Sequence, residues 1–252
     1  MPGVPLHPPA GGRPPRAGED LSVTDAQSKK SDLGVRVASA VVMLAVAGTA
    51  LWLGGWWLDS FIVLVAIAAF GEFVSLLTRI IDRAAFRIVA ITFATAYVGL
   101  AAWILIKINT VPLLLLIIGA VVLVDIFAYF FGRAIGGPKI APSISPSKTW
   151  AGLLGGTIGA TVALFLYFAL GVPSHIHPIW FIELLPFGAA IAVIAQSGDF
   201  FESWLKRRAG VKDSSNMIPG HGGVLDRVDG LMPVAILVGS ILIAHYPHWL
   251  NR

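Results

Sequence analysis

Cysteine is absent from the 252 residues of this chain, and charged residues are scarce. Without a thiol the protein can form no disulfide, no thiolate metal site and no cysteine nucleophile. Asp, Glu, Lys and Arg together make up 13% of the residues, whereas a soluble domain carries about 25%. The chain is therefore too poor in charge for an ordinary water-facing surface, which indicates a protein of the lipid bilayer.

Long apolar runs take the place of the missing charge, and the mean hydropathy is +0.81. A helix needs about 20 mostly apolar residues to cross a membrane, and several runs reach that length. We therefore predict an all-α fold, a polytopic transmembrane bundle of about seven spans, which split helices would raise to eight or nine. The seven runs cover residues 34–53, 56–77, 87–106, 112–131, 150–170, 179–198 and 225–246.

The residues before the first run are of a different kind. Residues 1–33 are rich in Pro, Gly and Ser and lack apolar periodicity, which is typical of disordered segments. The run that follows starts too late and is too long for a signal peptide. We predict a disordered cytosolic tail over residues 1–33 and a transmembrane domain over residues 34–252.

The distribution of Lys and Arg predicts the orientation, because cytosolic loops carry an excess of basic residues. If seven spans alternate in direction, only Lys107 and Arg252 of the 18 basic residues fall on one side. We therefore predict a cytosolic N-terminus. The residues on the cytosolic side are Arg13, Arg16, Lys29, Lys30, Arg36, Arg79, Arg83, Arg87, Arg133, Lys139, Lys148, Lys206, Arg207, Arg208, Lys212 and Arg227.

The first polar loop combines an acid inside the membrane with a basic, hydroxyl-rich segment. Asp125 lies within the fourth run and Tyr129 follows four residues later. A carboxylate at that depth is costly and is a functional candidate by default. Ser145, Lys148 and Thr149 come just before the fifth run. A lysine and free N–H groups at a helix start suit phosphate, so the segment is either a phosphate site or a basic interfacial anchor.

The second polar loop, from Gln196 to Gly230, places acids and a cation on one face of a predicted helix. Its four residues at spacings i, i+3, i+4 and i+7 lie on the same face, and Gly210 is expected to end the helix. The four residues are Asp199, Glu202, Ser203 and Lys206.

Asp226 and Asp229 then lie one turn apart at the start of the last run, with Arg227 between them. Mg²⁺ takes oxygen ligands, typically one or two carboxylates together with substrate phosphates and water. The residues indicate either a metal and phosphate site or a structural network of ion pairs.

Two features of the spans are open to more than one interpretation. Glu72, deep in the second run, either serves a site or belongs to a structural pair. In the fifth run, Gly152, Gly156 and Ala160 fall four apart, as do Gly155 and Gly159. Small residues at this spacing let helix backbones approach closely, so we predict helix packing there, within the chain or between subunits, rather than a passage for substrate.

Both loops carry motifs that can be compared with a known family. The main one is Ser203-x-Leu205-Lys206-Arg207, then Lys212-Asp213, then His221-Gly222-Gly223-x-Leu225-Asp226-Arg227-x-Asp229. Two more are Asp125-x-x-Ala128-Tyr129-x-x-Gly132-x-x-x-Gly136 and Ser145-Pro146-x-Lys148-Thr149-Trp150. Together they resemble the phosphatidate cytidylyltransferases, also called CDP-diacylglycerol synthases. Ala151 stands where members of that family often have Glu.

The resemblance implies a multi-spanning, often dimeric enzyme of the inner (plasma) membrane that needs Mg²⁺ and whose active site faces the cytoplasm. Its reaction converts CTP and phosphatidate to CDP-diacylglycerol and pyrophosphate in phospholipid biosynthesis. The expected partners are CTP, phosphatidic acid, the bilayer and a second copy of the chain, and no nucleic acid.

In this reaction the lipid phosphate can itself act as the nucleophile, because its second pKa is about 6 and it is anionic near neutral pH. The polar residues are therefore expected to bind metal and to neutralise phosphates. We predict that Asp226 and Asp229 hold Mg²⁺, with Asp199 as a third or more distant ligand. The predicted catalytic residues are Asp226, Asp229, Lys212, His221 and Arg227. The predicted substrate-binding residues are Ser145, Lys148, Thr149, Ser203, Lys206, Arg207, Asp125 and Tyr129.

Two other interpretations are compatible with the loops. A related CTP-dependent lipid enzyme, such as a polyprenol kinase or an ether-lipid cytidylyltransferase, would use the same charged residues. A cation-coupled transporter would use intramembrane acids such as Asp125 and Glu72, but it does not call for motifs in the cytosolic loops.

Overall fold

A computed structural model describes residues 20–108, 110–171 and 179–245 and consists almost entirely of helices. It confirms the predicted all-α, polytopic bundle. The helices are α1 (Asp20–Leu53), α2 (Gly55–Ile80), α3 (Ala84–Ile108), α4 (Val111–Ala134), α5 (Trp150–Gly171), α6 (Ile179–Arg208), α7 (Leu225–Val228) and α8 (Leu231–His245).

Six of the helices in the described part of the chain, α1 to α6, are long and apolar enough to cross a membrane. The chain is therefore a multi-pass membrane protein. In α1 the apolar stretch starts at Leu33, next to the predicted start of the first span. The first 19 residues of the predicted tail lie outside the described residues, and the helix begins at Asp20, inside the predicted tail.

The seventh predicted span, residues 225–246, is interrupted. The short helix α7 ends at Val228, and α8 begins at Leu231 with a shorter apolar stretch, Leu231–Ala244. At the interruption the backbone of Asp229 lies so close to α6 that a Cβ added to Gly198 would collide with the Asp229 carbonyl oxygen. Glycine at position 198 thus allows the α7–α8 junction to pack against α6.

Small residues hold α4 and α5 together, as predicted for the fifth run. Added Cβ atoms at Gly155 and Gly159 would collide with the carbonyl oxygens of Phe127 and Leu123 on α4. The glycine face of α5 is therefore used within this chain for close helix packing.

A two-stranded antiparallel sheet connects α4 to α5, and the sequence did not predict it. Strand β1 (Lys139–Ala141) pairs with β2 (Ser145–Thr149), and Lys139 lies opposite Thr149. Gly136 and Gly137, with φ of 69° and 94°, turn the chain out of α4 into this hairpin, a backbone conformation that glycine adopts at no steric cost. The hairpin fixes the position of the Ser145–Thr149 motif beside α6.

Candidate active site

The C-terminal end of α6 carries the first part of the site. The helix continues without a break from the apolar span to Arg208, and Gly210, with φ of 70°, follows it, as the sequence predicted. Lys206 Nζ lies 2.7 Å from Glu202 Oε2, one helical turn before it. This face of α6 therefore presents acids and a cation together.

Asp226 on α7 is joined to that face by Lys206, whose Nζ donates to Asp226 Oδ1 at 2.6 Å. The other oxygen, Oδ2, accepts the N–H groups of Ser214 and Gly223 at 3.0 and 2.7 Å. Burial alone would raise the pKa of Asp226, but hydrogen bonding with Glu202, with Lys206 and from Gly223 outweighs burial and holds that pKa well below the usual range of an aspartate. Asp226 is therefore an ionised carboxylate.

Lys148 on β2 brings the first polar loop into the same site. Its Nζ forms a salt bridge with Asp199 Oδ2 on α6 and lies 5.1 Å from the centre of the Phe200 ring. Asp125 on α4 interacts electrostatically with Lys148, with Asp199 and with Arg227. The two polar loops thus converge at one end of the bundle.

Asp229 closes a cluster of three acids with Asp199 and Glu202, which we call the carboxylate cluster. Burial and the negative charges of Asp199 and Glu202 raise the pKa of Asp229 to about 10, because like charges disfavour ionisation. The protonated form of Asp229 is therefore favoured, and Lys148 and Lys206 neutralise the other two acids of the cluster, Asp199 and Glu202.

The donor chemistry of the carboxylate cluster fits a hard divalent cation. Its ligands would all be carboxylate oxygens, as Mg²⁺ prefers, and Glu202 Oε1 is buried without a hydrogen-bond partner in the described part of the protein. A bound cation would reverse the repulsion that keeps Asp229 protonated. In the arrangement seen here, no group of three or more His, Asp or Glu side chains in residues 20–108, 110–171 and 179–245 is spaced to hold a metal.

Glu72 on α2 holds in place the second polar loop, residues 196–230, which we call the signature loop. It is 4% exposed and accepts the backbone N–H groups of Val224 and Leu225 at 3.0 and 2.7 Å. It also accepts the hydroxyl of Ser215 at 2.6 Å. Ser214 Oγ lies 2.8 Å from Glu72 Oε2 and 2.9 Å from Asp226 Oδ2, so it joins the two carboxylates. The structure therefore favours the structural role for Glu72, as the acceptor that orients α7.

His221 and its turn face α1 rather than the carboxylate cluster. His221 Nδ1 lies 2.8 Å from Ser39 Oγ, and a Cβ added to Gly220 would meet the side chain of Arg36. The His221 carbonyl accepts a hydrogen bond from Arg227 Nη2 at 2.8 Å. The turn thus links α1 to the start of α7.

Other predicted site residues lie around the cluster with different contacts. Thr149 Oγ1 accepts the Gly152 N–H at 3.0 Å and caps α5, and Ser145 is buried in the hairpin. Tyr129 is exposed, and its hydroxyl accepts from Arg133 at 3.0 Å. Arg207 and Lys212 are exposed and Ser203 is half-buried.

The sequence interpretation left Glu202 and Ser214 out of the predicted site. Glu202 is bonded to Lys206, and Ser214 is bonded to Asp226 through both its backbone N–H and its hydroxyl. The signal for Glu202 was its place on the same face of α6 as Asp199 and Lys206. For Ser214 the signal was its position directly after the Lys212-Asp213 pair.

The sequence of this chain is similar to those of known proteins. Residues 81–244 match the cytidylyltransferase family. A phosphatidate cytidylyltransferase of Rickettsia bellii is 35% identical over 227 residues, which cover 85% of this chain and 94% of that protein. A protein of the same name from Thermotoga maritima is 43% identical over 132 residues, 51% of this chain and 49% of that protein.

A shorter but closer match is the phosphatidate cytidylyltransferase of Brucella melitensis, 47% identical over 115 residues. That match covers 45% of this chain and 40% of the Brucella protein, so the chain spans well under two thirds of that relative's length. The family match covers more than half of the chain, and the Rickettsia relative is matched over nearly its full length. The chain therefore belongs to the cytidylyltransferase family.

Proposed function

We propose that this protein is a phosphatidate cytidylyltransferase, which makes CDP-diacylglycerol and pyrophosphate from CTP and phosphatidate. The observation that carries the proposal is the joining of Lys148 to the carboxylate cluster through Asp199. This contact puts the basic hairpin and the acidic signature loop in one site at the end of a membrane bundle. A water-soluble nucleotide and a membrane-bound lipid phosphate can both reach such a site.

In the proposed reaction a phosphate oxygen of phosphatidate forms a bond to the α-phosphorus of CTP. The bond between the α- and β-phosphates breaks, and pyrophosphate leaves with the electron pair. No proton has to be removed from the lipid phosphate, which is already anionic near neutral pH because its second pKa is about 6. The protein's contribution is therefore to bring two anions together and to stabilise the charge on the leaving group.

The cations of the site would do this by exchanging partners. Lys148 is paired with Asp199, and Lys206 with Glu202 and Asp226. Triphosphate oxygens compete with those carboxylates for the lysines. A lysine that moves to the nucleotide leaves a carboxylate free, so nucleotide binding and the opening of the carboxylate cluster are coupled.

Mg²⁺ is part of the proposal, with Asp199, Asp226 and Asp229 as ligands. When bound, it would neutralise phosphate charge and stabilise the departing pyrophosphate. Asp226 already accepts hydrogen bonds on both oxygens, so Asp199 and Asp229 would form the larger part of the site. Glu202 is the candidate for a further ligand, because its Oε1 has no hydrogen-bond partner among the described residues.

Two finer features also belong to the proposal. We place the protein in the inner (plasma) membrane with the site facing the cytoplasm, because the site collects the basic residues of one side of the bundle. Since the chain has no cysteine, single cysteines introduced at Lys107 and Arg208 would test this with a membrane-impermeant maleimide. The expected homodimer stays a prediction, which light scattering on detergent-purified protein tests.

The function itself is tested with the purified, full-length chain in detergent, given CTP and dioleoyl phosphatidate with Mg²⁺ or with a chelator. We expect a CDP-lipid and pyrophosphate in equal amounts, both dependent on the metal. Release of CDP with a phosphorylated lipid would indicate a kinase instead. Absence of any turnover of CTP, in protein shown to be folded, would exclude the proposed activity and leave transport to be considered.

A further inference from the structure

A partly open cavity of about 480 Å³ lies within the membrane-spanning part of the bundle, beyond the signature loop. Pockets that hold small organic ligands usually measure roughly 300–1,000 Å³, so its size is that of a ligand site. Its walls come from five helices. α1 contributes Met43 and Ala47, α2 contributes Leu58 and Ala66, α3 contributes Ala102, and α4 and α8 complete it. The cavity is almost wholly apolar and suits a hydrocarbon chain.

One end of the cavity is formed by the signature loop. Val224 and Val228 line it there together with Arg227, which alone carries a charge among the described residues of the lining. The Arg227 side chain is exposed and donates one N–H to the His221 carbonyl oxygen. Its remaining N–H groups are available to an anion, because a guanidinium has five donors.

Arg227 also connects the cavity to the proposed site of reaction. It interacts electrostatically with Asp125, which interacts in turn with Lys148 and Asp199. On α4, Ile118 lines the cavity and Asp125 lies seven residues later on the same face, about 10 Å further along the helix. An apolar chain in the cavity and a phosphate beside Arg227 and Lys148 would therefore be parts of one molecule.

The wall formed by α1 offers a lateral route into the cavity. Among the described side chains of α1, that of Ala50 is buried. The side chains of Val42 and Val46 line the cavity and are more than half exposed. A helix packed so lightly leaves its neighbours accessible to the surrounding bilayer. A lipid can reach this cavity without leaving the membrane.

We propose that this cavity binds one acyl chain of phosphatidate while Arg227 holds the lipid phosphate. The proposal rests on the proposed function and names the place where its lipid substrate is bound. It follows from the apolar lining, from the single cation at the end nearest the signature loop, and from the negative charge of the lipid phosphate that this cation would meet.

The test fills the cavity with larger side chains. Ala47→Phe and Ala102→Phe both project into it, and Ala45→Phe is the matched control, because Ala45 is exposed on α1 and lies outside the lining. Turnover is measured at saturating CTP with dioleoyl phosphatidate and with dihexanoyl phosphatidate, whose chains are too short to fill the cavity. We expect the two cavity variants to raise the KM for the dioleoyl lipid roughly tenfold, which corresponds to the lost burial of about two methylene groups.

The same two variants should leave the KM for dihexanoyl phosphatidate and for CTP unchanged, and Ala45→Phe should behave as the wild type with both lipids. An unchanged KM for the dioleoyl lipid would overturn the proposal and leave a bulk lipid as the occupant. An equal rise for both lipids would overturn it as well, because the chain length would then not matter. If the wild type makes no CDP-lipid from either substrate, the proposed function fails and the acyl-chain site falls with it.

Discussion

Asp226 accepts four hydrogen bonds from three residues, Lys206, Ser214 and Gly223. A carboxylate held in this way keeps its charge and its position at once. Lys148 is different, because its one salt bridge among the described residues is with Asp199 and its ring contact is with Phe200. Asp226 is therefore held in place by its hydrogen bonds, and Lys148 is the cation that can most readily change partners.

Asp226→Asn should abolish turnover while the protein still inserts and folds. The amide keeps the shape of the carboxylate but cannot balance the charge of Lys206, and it offers an N–H₂ group where the backbone N–H groups of Ser214 or Gly223 need an acceptor. The measurement is CDP-lipid formation by purified protein, with size-exclusion chromatography as the check on folding. Asp82→Asn, at an exposed residue between α2 and α3, is the control and should be fully active. Full activity of Asp226→Asn would remove Asp226 from the mechanism.

Lys148→Ala should raise the KM for CTP by roughly 10- to 100-fold, the range that corresponds to the loss of one hydrogen bond to a charged group. The expression level should change far less. Steady-state kinetics with varied CTP provide the measurement. Lys139→Ala is the matched control, because Lys139 lies on the same hairpin but is exposed. A KM for CTP that stays at the wild-type value would contradict a phosphate-binding role for Lys148.

Among the elements, α5 and α6 show how local sequence patterns carry over into structure. The small-residue spacing of α5 predicted close packing, and its glycines do lie against the backbone of α4. The spacing of Asp199, Glu202 and Lys206 predicted one helical face, and α6 provides it. Both patterns repeat with the helical period within one element, so the sequence alone was sufficient to predict them.

Gly159→Ala should destabilise the protein by about 1–3 kcal/mol, the usual cost of forcing extra atoms into a packed contact. The added methyl group would collide with the carbonyl oxygen of Leu123. Gly99→Ala in α3 is the control, because nothing lies within 4 Å of an added Cβ there and alanine favours a helix. Thermal unfolding in detergent, followed by tryptophan fluorescence, provides the comparison. Equal melting temperatures for the two variants would contradict the described packing of α4 and α5.

The β hairpin was beyond prediction for a physical reason. The segment around Pro142 and Pro146 is rich in serine, which is the composition of an irregular loop. Its two strands have three and five residues, which is too short for an alternating pattern to be visible. The positions of the end of α4 and the start of α5 determine how the two strands pair. The distance between these two helix ends cannot be obtained from the sequence.

For the molecule as a whole, the informative contact is the one between Glu72 and the signature loop. Ser214 and Leu225 are 142 and 153 residues away from Glu72 in sequence, so no local pattern could reveal the pairing. The motifs predicted which residues belong to the candidate site, whereas only the three-dimensional packing shows which residues they contact. The contact between Asp226 and Lys206 is intermediate between a local contact and a long-range one. The two residues are 20 positions apart, but both belong to one motif.

Glu72→Gln should lower the free energy of unfolding by about 1.5–3 kcal/mol, the contribution of a hydrogen bond to a charged group, and should lower kcat even where the protein is folded. The glutamine amide has one acceptor oxygen, whereas the donors of the signature loop now bind to both carboxylate oxygens of Glu72. Thermal unfolding and kcat are the two measurements. Glu183→Gln, at an exposed residue of α6, should leave both unchanged. A Glu72→Gln variant with wild-type stability and kcat would show that the contact is dispensable.

The position of Glu72 has a consequence for how much of the chain is needed. The family match begins at residue 81, after the end of α2, so the acid that receives the Val224 and Leu225 N–H groups lies upstream of it. A truncated protein starting at residue 81 would contain the complete signature and yet leave the start of α7 without its acceptor. The early spans thus supply a contact that the matched segment lacks, and grafting residues 81–244 alone onto another membrane leader would transfer the motif residues without the acceptor that orients α7.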